Sequence, residues 1–259
     1  MADDLFEKYR EDLNKLNLKT VDDLENLVKP LIKDATKLIL KKRQEKAPKD
    51  TNQKSHFGGQ PYFEKGEQWP VAKSGSKLEF VFQIFNEEWL TIPENIKLIQ
   101  FYYDFEECPW DTKEDGWLVK VYENIDKSNC ITIEKSEEHG KVHYCEIGYE
   151  KIKSLPDWDG ISSFEDNASK LSCILDEEEP WGHYYEMVYK LIGEMNDGSQ
   201  LGGYANYIQG GLDPDDKNFI FLFQIDSEAE AGLHWSDCGM VYVFYNSKTK
   251  EIKFRLQCC

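Results

Sequence analysis

Five histidines, at positions 56, 139, 143, 183 and 234, are the side chains best suited to proton transfer or metal binding near neutral pH. His139 and His143 have the i, i+4 spacing of a helical metal pair, but Gly140 and the β-type run Val142-His143-Tyr144-Cys145 argue against a helix. On a strand, His143 and Cys145 would share a face. Two ligands are too few for a closed zinc site, and the residues assign no metal. The segment His234-Trp235-Ser236-Asp237-Cys238 sets base, nucleophile and acid side by side. Catalytic triads are assembled in space rather than by adjacency, and no GxSxG nucleophile elbow occurs. Trp235 therefore reads as sheet cover, and Asp237 as a turn residue ahead of Gly239.

Acidic runs at 104–107, 176–179 and 213–216 offer carboxylates for calcium. None has the alternating ligands and central glycine of an EF-hand loop, so solvated loops are the simpler reading. No GK[ST] phosphate loop or dinucleotide fingerprint is present, which excludes the common phosphoryl-transfer and nicotinamide chemistries. No catalytic residue and no cofactor is assigned. Of the seven tryptophans, Trp110, Trp158 and Trp181 stand beside proline and acids, a setting that suits exposed interface anchors.

The elements that must position these residues follow from periodicity. Leu5, Phe6, Tyr9, Leu13 and Leu16 recur at helical spacing; Leu24, Leu27, Val28 and Leu31 form a second stripe, which Pro30 interrupts. The run 37–40 fits either a helical continuation or a short strand. Residues 42–55 are polar and read as a linker. Short β-type runs follow at 78–85, 96–103, 117–123, 130–134 and 141–147, and again at 219–225, 239–245 and 251–257. Residues 155–179 are acidic and poorly periodic. A helix is expected near 181–196, with Tyr185, Val188, Tyr189, Ile192 and Met195 on one face, ending at Asp197-Gly198.

Self-similarity is the most informative feature. Phe57-Gly58-Gly59 matches Leu201-Gly202-Gly203, Phe80-Val81-Phe82-Gln83-Ile84 matches Phe221-Leu222-Phe223-Gln224-Ile225, and the run 98–104 matches 240–246. The order is the same and the spacing nearly constant, so two copies of one β unit are expected. Each glycine pair permits a positive φ or a close backbone approach where the chain bends into the sheet. Gln83 and Gln224 sit mid-strand, where a buried amide needs partners for both its oxygen and its NH2 group. Bonds to nearby backbone are the favoured role; the other reading makes them, with His56 and His234, the walls of a groove between the units.

Composition bounds the rest. Charged residues reach 31% and the net charge is −18, while 14% aromatic residues supply enough apolar area for a core. Such a charge disfavours nucleic acid and anionic membrane surfaces and attracts basic proteins. Seven cysteines, no CxxC, and an N-terminal stretch lacking the basic and apolar regions of a secretory signal point to a reducing cytosol. The Cys258-Cys259 pair lacks the spacing and basic tract of a lipidation site.

At the motifs Ser55-His56-Phe57-Gly58-Gly59-Gln60-Pro61-Tyr62, Gln68-Trp69-Pro70, 80–84, Leu201-Gly202-Gly203-Tyr204, 222–226 and Trp235-Ser236-Asp237-Cys238-Gly239, the chain resembles the YwqG-like family, a bacterial domain of unknown function. The likeness covers roughly 20–257. It departs at Ala205, where the family tends to have proline, and at 236–239, where it favours Gly-Asp-Ala-Gly. The resemblance implies a β-roll-like domain with peripheral helices, carries no catalytic residues, and suggests a setting beside toxin–immunity systems.

These readings predict an α+β chain, mainly β, of β-roll-like antiparallel sheets. Residues 1–45 form an N-terminal helical segment and 55–259 a β-rich domain, with repeats at 55–150 and 198–259 and a helical or irregular insert at 151–197. Weak ligand-binding candidates are His56, Gln83, Gln224 and His234; Gly58, Gly59, Gly202, Gly203, Trp235 and Asp237 are structural. The expected function is a non-enzymatic cytosolic interaction protein, of the immunity type, with a basic protein partner and neither nucleic acid nor membrane. The alternative is a small-molecule binder or hydrolase using the groove.

Overall fold

A computed structural model of the chain describes residues 2–133, 141–211, 213, 214 and 216–259. His139 and Asp215, weighed above, lie outside them. The helix α1 (Ala2–Lys15) is followed by α2 (Val21–Val28), whose start carries a reciprocal cap: Asp23 N–H donates to Thr20 Oγ1 and Thr20 N–H to Asp23 Oδ2. A 3-10 turn around Pro30 then leads into β1 (Lys33–Leu40), so the ambiguous run 37–40 is strand. The other strands are β2 (His56–Phe57), β3 (Phe63–Glu64), β4 (Glu79–Phe85), β5 (Leu98–Tyr103), β6 (Trp117–Tyr122), β7 (Cys130–Ile131), β8 (Cys145–Ser154), β9 (Gln200–Leu201), β10 (Phe219–Asp226), β11 (Met240–Asn246) and β12 (Ile252–Gln257). Between β8 and β9 lie α3 (Ile161–Phe164), α4 (Asp166–Leu175) and α5 (Pro180–Ile192).

Ten of the strands form one antiparallel sheet in the order β12-β11-β10-β9-β1-β8-β2-β4-β5-β6, nearly closed into a barrel. The gap is bridged by side chains and by the loop after β5: Leu256 N–H donates to the Trp110 carbonyl, Asp111 pairs with Arg255, and Trp117 stacks on Phe254 at 5.0 Å. On either side of the β1–β8 pair the strand order runs outward alike, β2-β4-β5-β6 and β9-β10-β11-β12. Both flanks also carry a register shift at corresponding places, between Phe80 and Phe82 and between Phe221 and Phe223.

The interior is filled by one face of every long strand. Phe82 and Phe223 meet edge-on at 5.1 Å, and Phe101 touches Phe223, Trp235 and Phe254. Side chains therefore occupy the space between the two flanks at this level, as in other small barrels. The outer faces of β4 and β11 are covered as well. Phe63, Trp69 and Leu78 pack over Phe80 and Tyr102 on one flank, and Ala205 and Tyr207 over Tyr242 and Phe244 on the other. That second layer explains why β4 and β11 bury both faces and read as unbroken apolar runs.

The helices share a separate core. Leu13 of α1, Leu24 and Val28 of α2, Ala168 and Leu171 of α4, and Tyr184, Met187 and Val188 of α5 bury one another. The N-terminal helices and the 161–192 helices, far apart in sequence, thus form one layer. α5 stops at Gly193, whose φ of 79° breaks the helix five residues before the Asp197-Gly198 stop expected from sequence.

Candidate functional site

The four residues named from sequence divide into three buried anchors and one surface side chain. Gln83 is fully buried on the outer face of β4. Its Oε1 accepts from Tyr62 N–H (2.8 Å), and its Nε2 donates to the carbonyls of Lys54 (2.7 Å) and Asn52 (3.2 Å). Gln224, buried on β10, does the same with Asn206 N–H (3.0 Å) and the Gly198 carbonyl (2.8 Å). Each amide thus ties together the two ends of a loop that turns through a glycine pair. Gly58 and Gly59 have φ of 56° and 69°, Gly202 and Gly203 of 62° and 73°. A further pair of bonds matches: Phe85 N–H donates to Ser55 Oγ, and Asp226 N–H to Ser199 Oγ.

His56 lies beside Gln83, its Nε2 3.2 Å from the amide nitrogen, and shares no wall with solvent. Burial pushes its pKa down to about 4, against a smaller pull upward from the neighbouring backbone, so the ring is neutral at physiological pH. Gln200, at the matching place on β9, donates instead to the Gly202 and Tyr204 carbonyls. His234 is exposed, with Nδ1 3.3 Å from the Ser236 carbonyl. Trp235 is buried, stacked on Phe105 and donating its indole N–H to the Asp226 carbonyl, while Asp237 is exposed. His143 is exposed and Cys145 buried. Among the described residues no three His, Cys, Asp or Glu side chains gather as a metal-binding group.

Sequence reading passed over Asp157 and took 213–216 as a solvated loop, whereas the structure brings the buried Asp157 and the half-buried Asp213 together. Asp157, in the β8–α3 loop, accepts from the N–H groups of Gly160 (2.6 Å) and Tyr207. Asp213, in the β9–β10 loop, faces the same spot, where a Cβ on Gly160 would lie 3.0 Å from Asp157 Oδ1 and 3.4 Å from Asp213 Oδ2. The two acids are 56 positions apart; Asp157 belongs to no motif, and Asp213 opens the acidic run 213–216. Desolvation raises Asp157 to about 7, with Asp159 and Asp213 adding repulsion. It raises Asp213 to about 6 against the pull of the Tyr207 hydroxyl and of Lys33, whose own pKa burial lowers. A carboxyl whose pKa is raised on folding takes up protons, so its contribution is fully present below the unfolded value near 3.8 and lost as pH rises through 6–7. The expected result is a melting temperature that climbs as pH falls from 8 to 5, worth about 2–3 kcal/mol from Asp157 alone. Asp157→Asn removes most of that slope in a pH series of thermal melts; an unchanged slope would locate it elsewhere.

Two concave surfaces stand out among the described residues. The larger, about 970 Å3, lies on the first flank. It is walled by Phe85, Ile147 and Tyr149, with Lys54, Lys97 and Lys127 facing Glu87, Glu123 and Asp126. The Tyr149 hydroxyl is buried beside Ser55 with no partner in hydrogen-bond geometry among the described residues. The smaller, about 470 Å3, runs along α5 between Tyr185, Val188 and Tyr189 and the segment Gly193–Asp197, reaching Asn206. Its helix carries Trp181, Tyr185 and Tyr189, spaced four residues apart on one face and 45%, 41% and 65% exposed. Exposed acids surround them: Glu177, Glu178, Glu179, Glu186, Glu194 and Asp197. Neither concavity is lined by His56, Gln83, Gln224 or His234.

A family model described as a domain of unknown function (DUF1963) matches residues 55–254, which run from the residue before β2 into β12 and hold both glycine pairs, both glutamine anchors, Asp157 and Asp213. No curated protein matches the chain. Since the match takes in most of the sequence and every strand of the sheet but β1, the chain belongs to the DUF1963 family.

Proposed function

We propose that the chain is a non-enzymatic interaction protein, of the immunity type, that takes a basic segment of a partner protein against α5. The observation that carries this reading is the exposed row Trp181, Tyr185 and Tyr189 set among carboxylates. Three large aromatics stand in line on a helix that already buries Tyr184, Met187 and Val188 behind them, and of the three Tyr185 is also tied inward, its ring against Tyr184 and its hydroxyl accepting from Trp158 N–H. Aromatic side chains are the commonest hot spots of protein interfaces, and the surrounding acids would speed and orient the approach of lysines and arginines. The net charge of −18 extends the same field and speaks against nucleic acid or a lipid surface as the partner. Among the described residues no helix is long and apolar enough to cross a membrane. Kinship with the YwqG-like proteins, a cytosolic location and descent of the sheet from two copies of one unit belong to this reading. The motifs, the seven free cysteines and the matching glutamine clamps support them.

Its test is affinity capture from host lysate with the wild-type protein and the triple variant W181A/Y185A/Y189A. The wild type is expected to retain a basic protein whose binding weakens as salt is raised. The variant is expected to lose at least tenfold in affinity for that protein while staying folded and melting within about 5 °C of the wild type, because the three side chains are largely exposed and the Tyr185–Trp158 bond is long. Retention of the same partner by the variant would end this reading. A second reading, binding of a small amphipathic zwitterion, rests on the 970 Å3 concavity with its facing charges and buried tyrosine hydroxyl. Native mass spectrometry separates the two: a small mass excess on the undialysed protein favours the concavity.

A further inference from the structure

The seven cysteines differ in what they face. Cys145 is buried, Cys130, Cys173 and Cys258 are half-buried, and Cys108, Cys238 and Cys259 are exposed. Two of the exposed three meet. The β11–β12 pairing runs from Tyr245 opposite Ile252 to Met240 opposite Gln257, so the turn that holds Cys238 and the two residues after β12 lie side by side at the same end of the pair. Beyond the strands the register slips by one, and the backbone stays joined there: Cys259 N–H donates to the carbonyl of Asp237, the residue before Cys238, at 3.1 Å. The Cys238 thiol faces the Cys259 thiol and approaches Asp237 Oδ1. Neighbouring thiols on joined backbone close into a disulfide once side-chain rotation brings their Cβ atoms to the required separation. Cys258 is turned another way, with its carbonyl accepting from Gln209 Nε2.

The Cys238 end of the pair sits in a strained turn. Ser236 and Cys238 both hold left-handed φ, 57° and 47°, and a Cβ on Gly239 would fall 1.7 Å from the Trp235 carbonyl oxygen. This turn follows directly on Trp235, which is 1% exposed and packs on Phe101, Tyr103 and Phe105 inside the sheet. A covalent link there would staple the turn under the tryptophan to the end of β12.

We propose that Cys238 and Cys259 are a modification site: a dithiol that closes reversibly into an intramolecular disulfide when the surrounding low-molecular-weight thiol pool becomes oxidised. The oxidant is a small-molecule disulfide, and the exchange balances without any other reagent. Asp237 and the neighbouring thiol hold Cys238 protonated by raising its pKa, so Cys259 attacks first. Cys259 gives its proton to water, its thiolate bonds to one sulfur of the small disulfide, and the other sulfur leaves as a thiolate and is protonated. Cys238 then loses its proton and attacks Cys259 Sγ in the mixed disulfide, expelling the second small thiol. Two protein thiols are oxidised and one small disulfide is reduced to two thiols.

The experiment equilibrates the whole protein at pH 8 in buffers of reduced and oxidised glutathione, quenches with acid, alkylates the remaining thiols and maps peptides by mass spectrometry. The expected product is an intramolecular link between the peptides holding residues 238 and 259, two hydrogens lighter than the free pair. Cys108 serves as the internal comparison and carries glutathione instead of a link. C258S keeps the link; C259S and C238S each lose it and trap one glutathione on the cysteine that remains. The linked form is expected to melt about 5–10 °C higher, a gain reversed by reductant. Glutathione on both Cys238 and Cys259 of the wild type without a link overturns the proposal. So does a link through Cys258 or between two molecules.

Discussion

Replacing Gln83 by leucine is expected to cost about 3–5 kcal/mol, among the largest losses any single side chain of this fold can cause without changing its volume much. The reasoning is an inventory of what the amide leaves behind. Tyr62 N–H, buried beneath the outer loop, loses its acceptor, and the Lys54 and Asn52 carbonyls lose their donor. Gln100 keeps its bond to the Tyr62 carbonyl but loses its contact with Gln83 Oε1 at 3.1 Å. One buried unpaired donor costs about 1–3 kcal/mol and each part-buried carbonyl about 1 kcal/mol, while leucine recovers some of the desolvation that the amide required. Gln224→Leu breaks the same pattern with two fewer partners, and those it has are only partly buried. It should therefore cost less, about 2 kcal/mol. Urea denaturation of both variants checks the order as well as the size. Equal losses would mean that the two clamps are not set apart by their partners, and a loss below 1 kcal/mol at Gln83 would mean that water replaces the amide.

The same residues show how much of the molecule was legible beforehand. The strands were, because aromatic and β-branched runs such as Phe80–Ile84 and Met240–Tyr245 bury both faces and leave no competing helical period. The glutamine bonds to backbone were foreseeable from the cost of an unsatisfied amide between apolar neighbours. Three things were not legible. The run Lys37–Leu40 is strand only because β8 and β9 flank it, which is tertiary information. β8 extends through Glu150, Lys151 and Lys153 to Ser154, where exposed charges hide the strand pattern. Helix α4 buries small residues, Ala168 and Ser172, so its stripe is too weak to see.

The candidate sites were legible to different degrees. α5 was expected as a helix, but its aromatic and aliphatic residues nearly encircle it, so periodicity alone does not say which face is covered. The structure buries Tyr184, Met187 and Val188 and leaves Trp181, Tyr185 and Tyr189 outside. The groove imagined between His56, Gln83, Gln224 and His234 assumed open space between the units. At the level of Phe82 and Phe223 that space is occupied by touching rings. The Asp157–Asp213 pair carries no local signal at all, because it exists only where two loops cross over Gly160.

Gly58→Ala should be the most damaging conservative change in the first glycine loop, lowering stability by about 4 kcal/mol or more. Two costs add there. The residue holds φ of 56°, which an L side chain adopts only at about 1–2 kcal/mol. Its new Cβ would also lie 2.5 Å from the Val142 carbonyl oxygen and 2.6 Å from the His143 carbonyl carbon and oxygen. Those atoms are backbone, fixed by the His143 N–H bond to the Ala231 carbonyl, so relief requires moving the chain that leads into β8. Gly58 N–H itself bonds the Val81 carbonyl on β4, which leaves the glycine no room to retreat. Gly202, with φ of 62°, is the comparison: its new Cβ would meet one residue, Thr91, at Cγ2 (2.4 Å) and at the carbonyl oxygen (2.7 Å), where Gly58 meets the backbone of two, and the closest of its clashes is with a side-chain methyl. Gly202→Ala is therefore expected to fold with a lower melting temperature, while Gly58→Ala is expected to be mostly insoluble or unfolded at 37 °C. If Gly58→Ala instead melts within about 3 °C of the wild type, the outer loop is not pinned between β4 and the entry to β8, and the glutamine clamp at Gln83 cannot be what holds it.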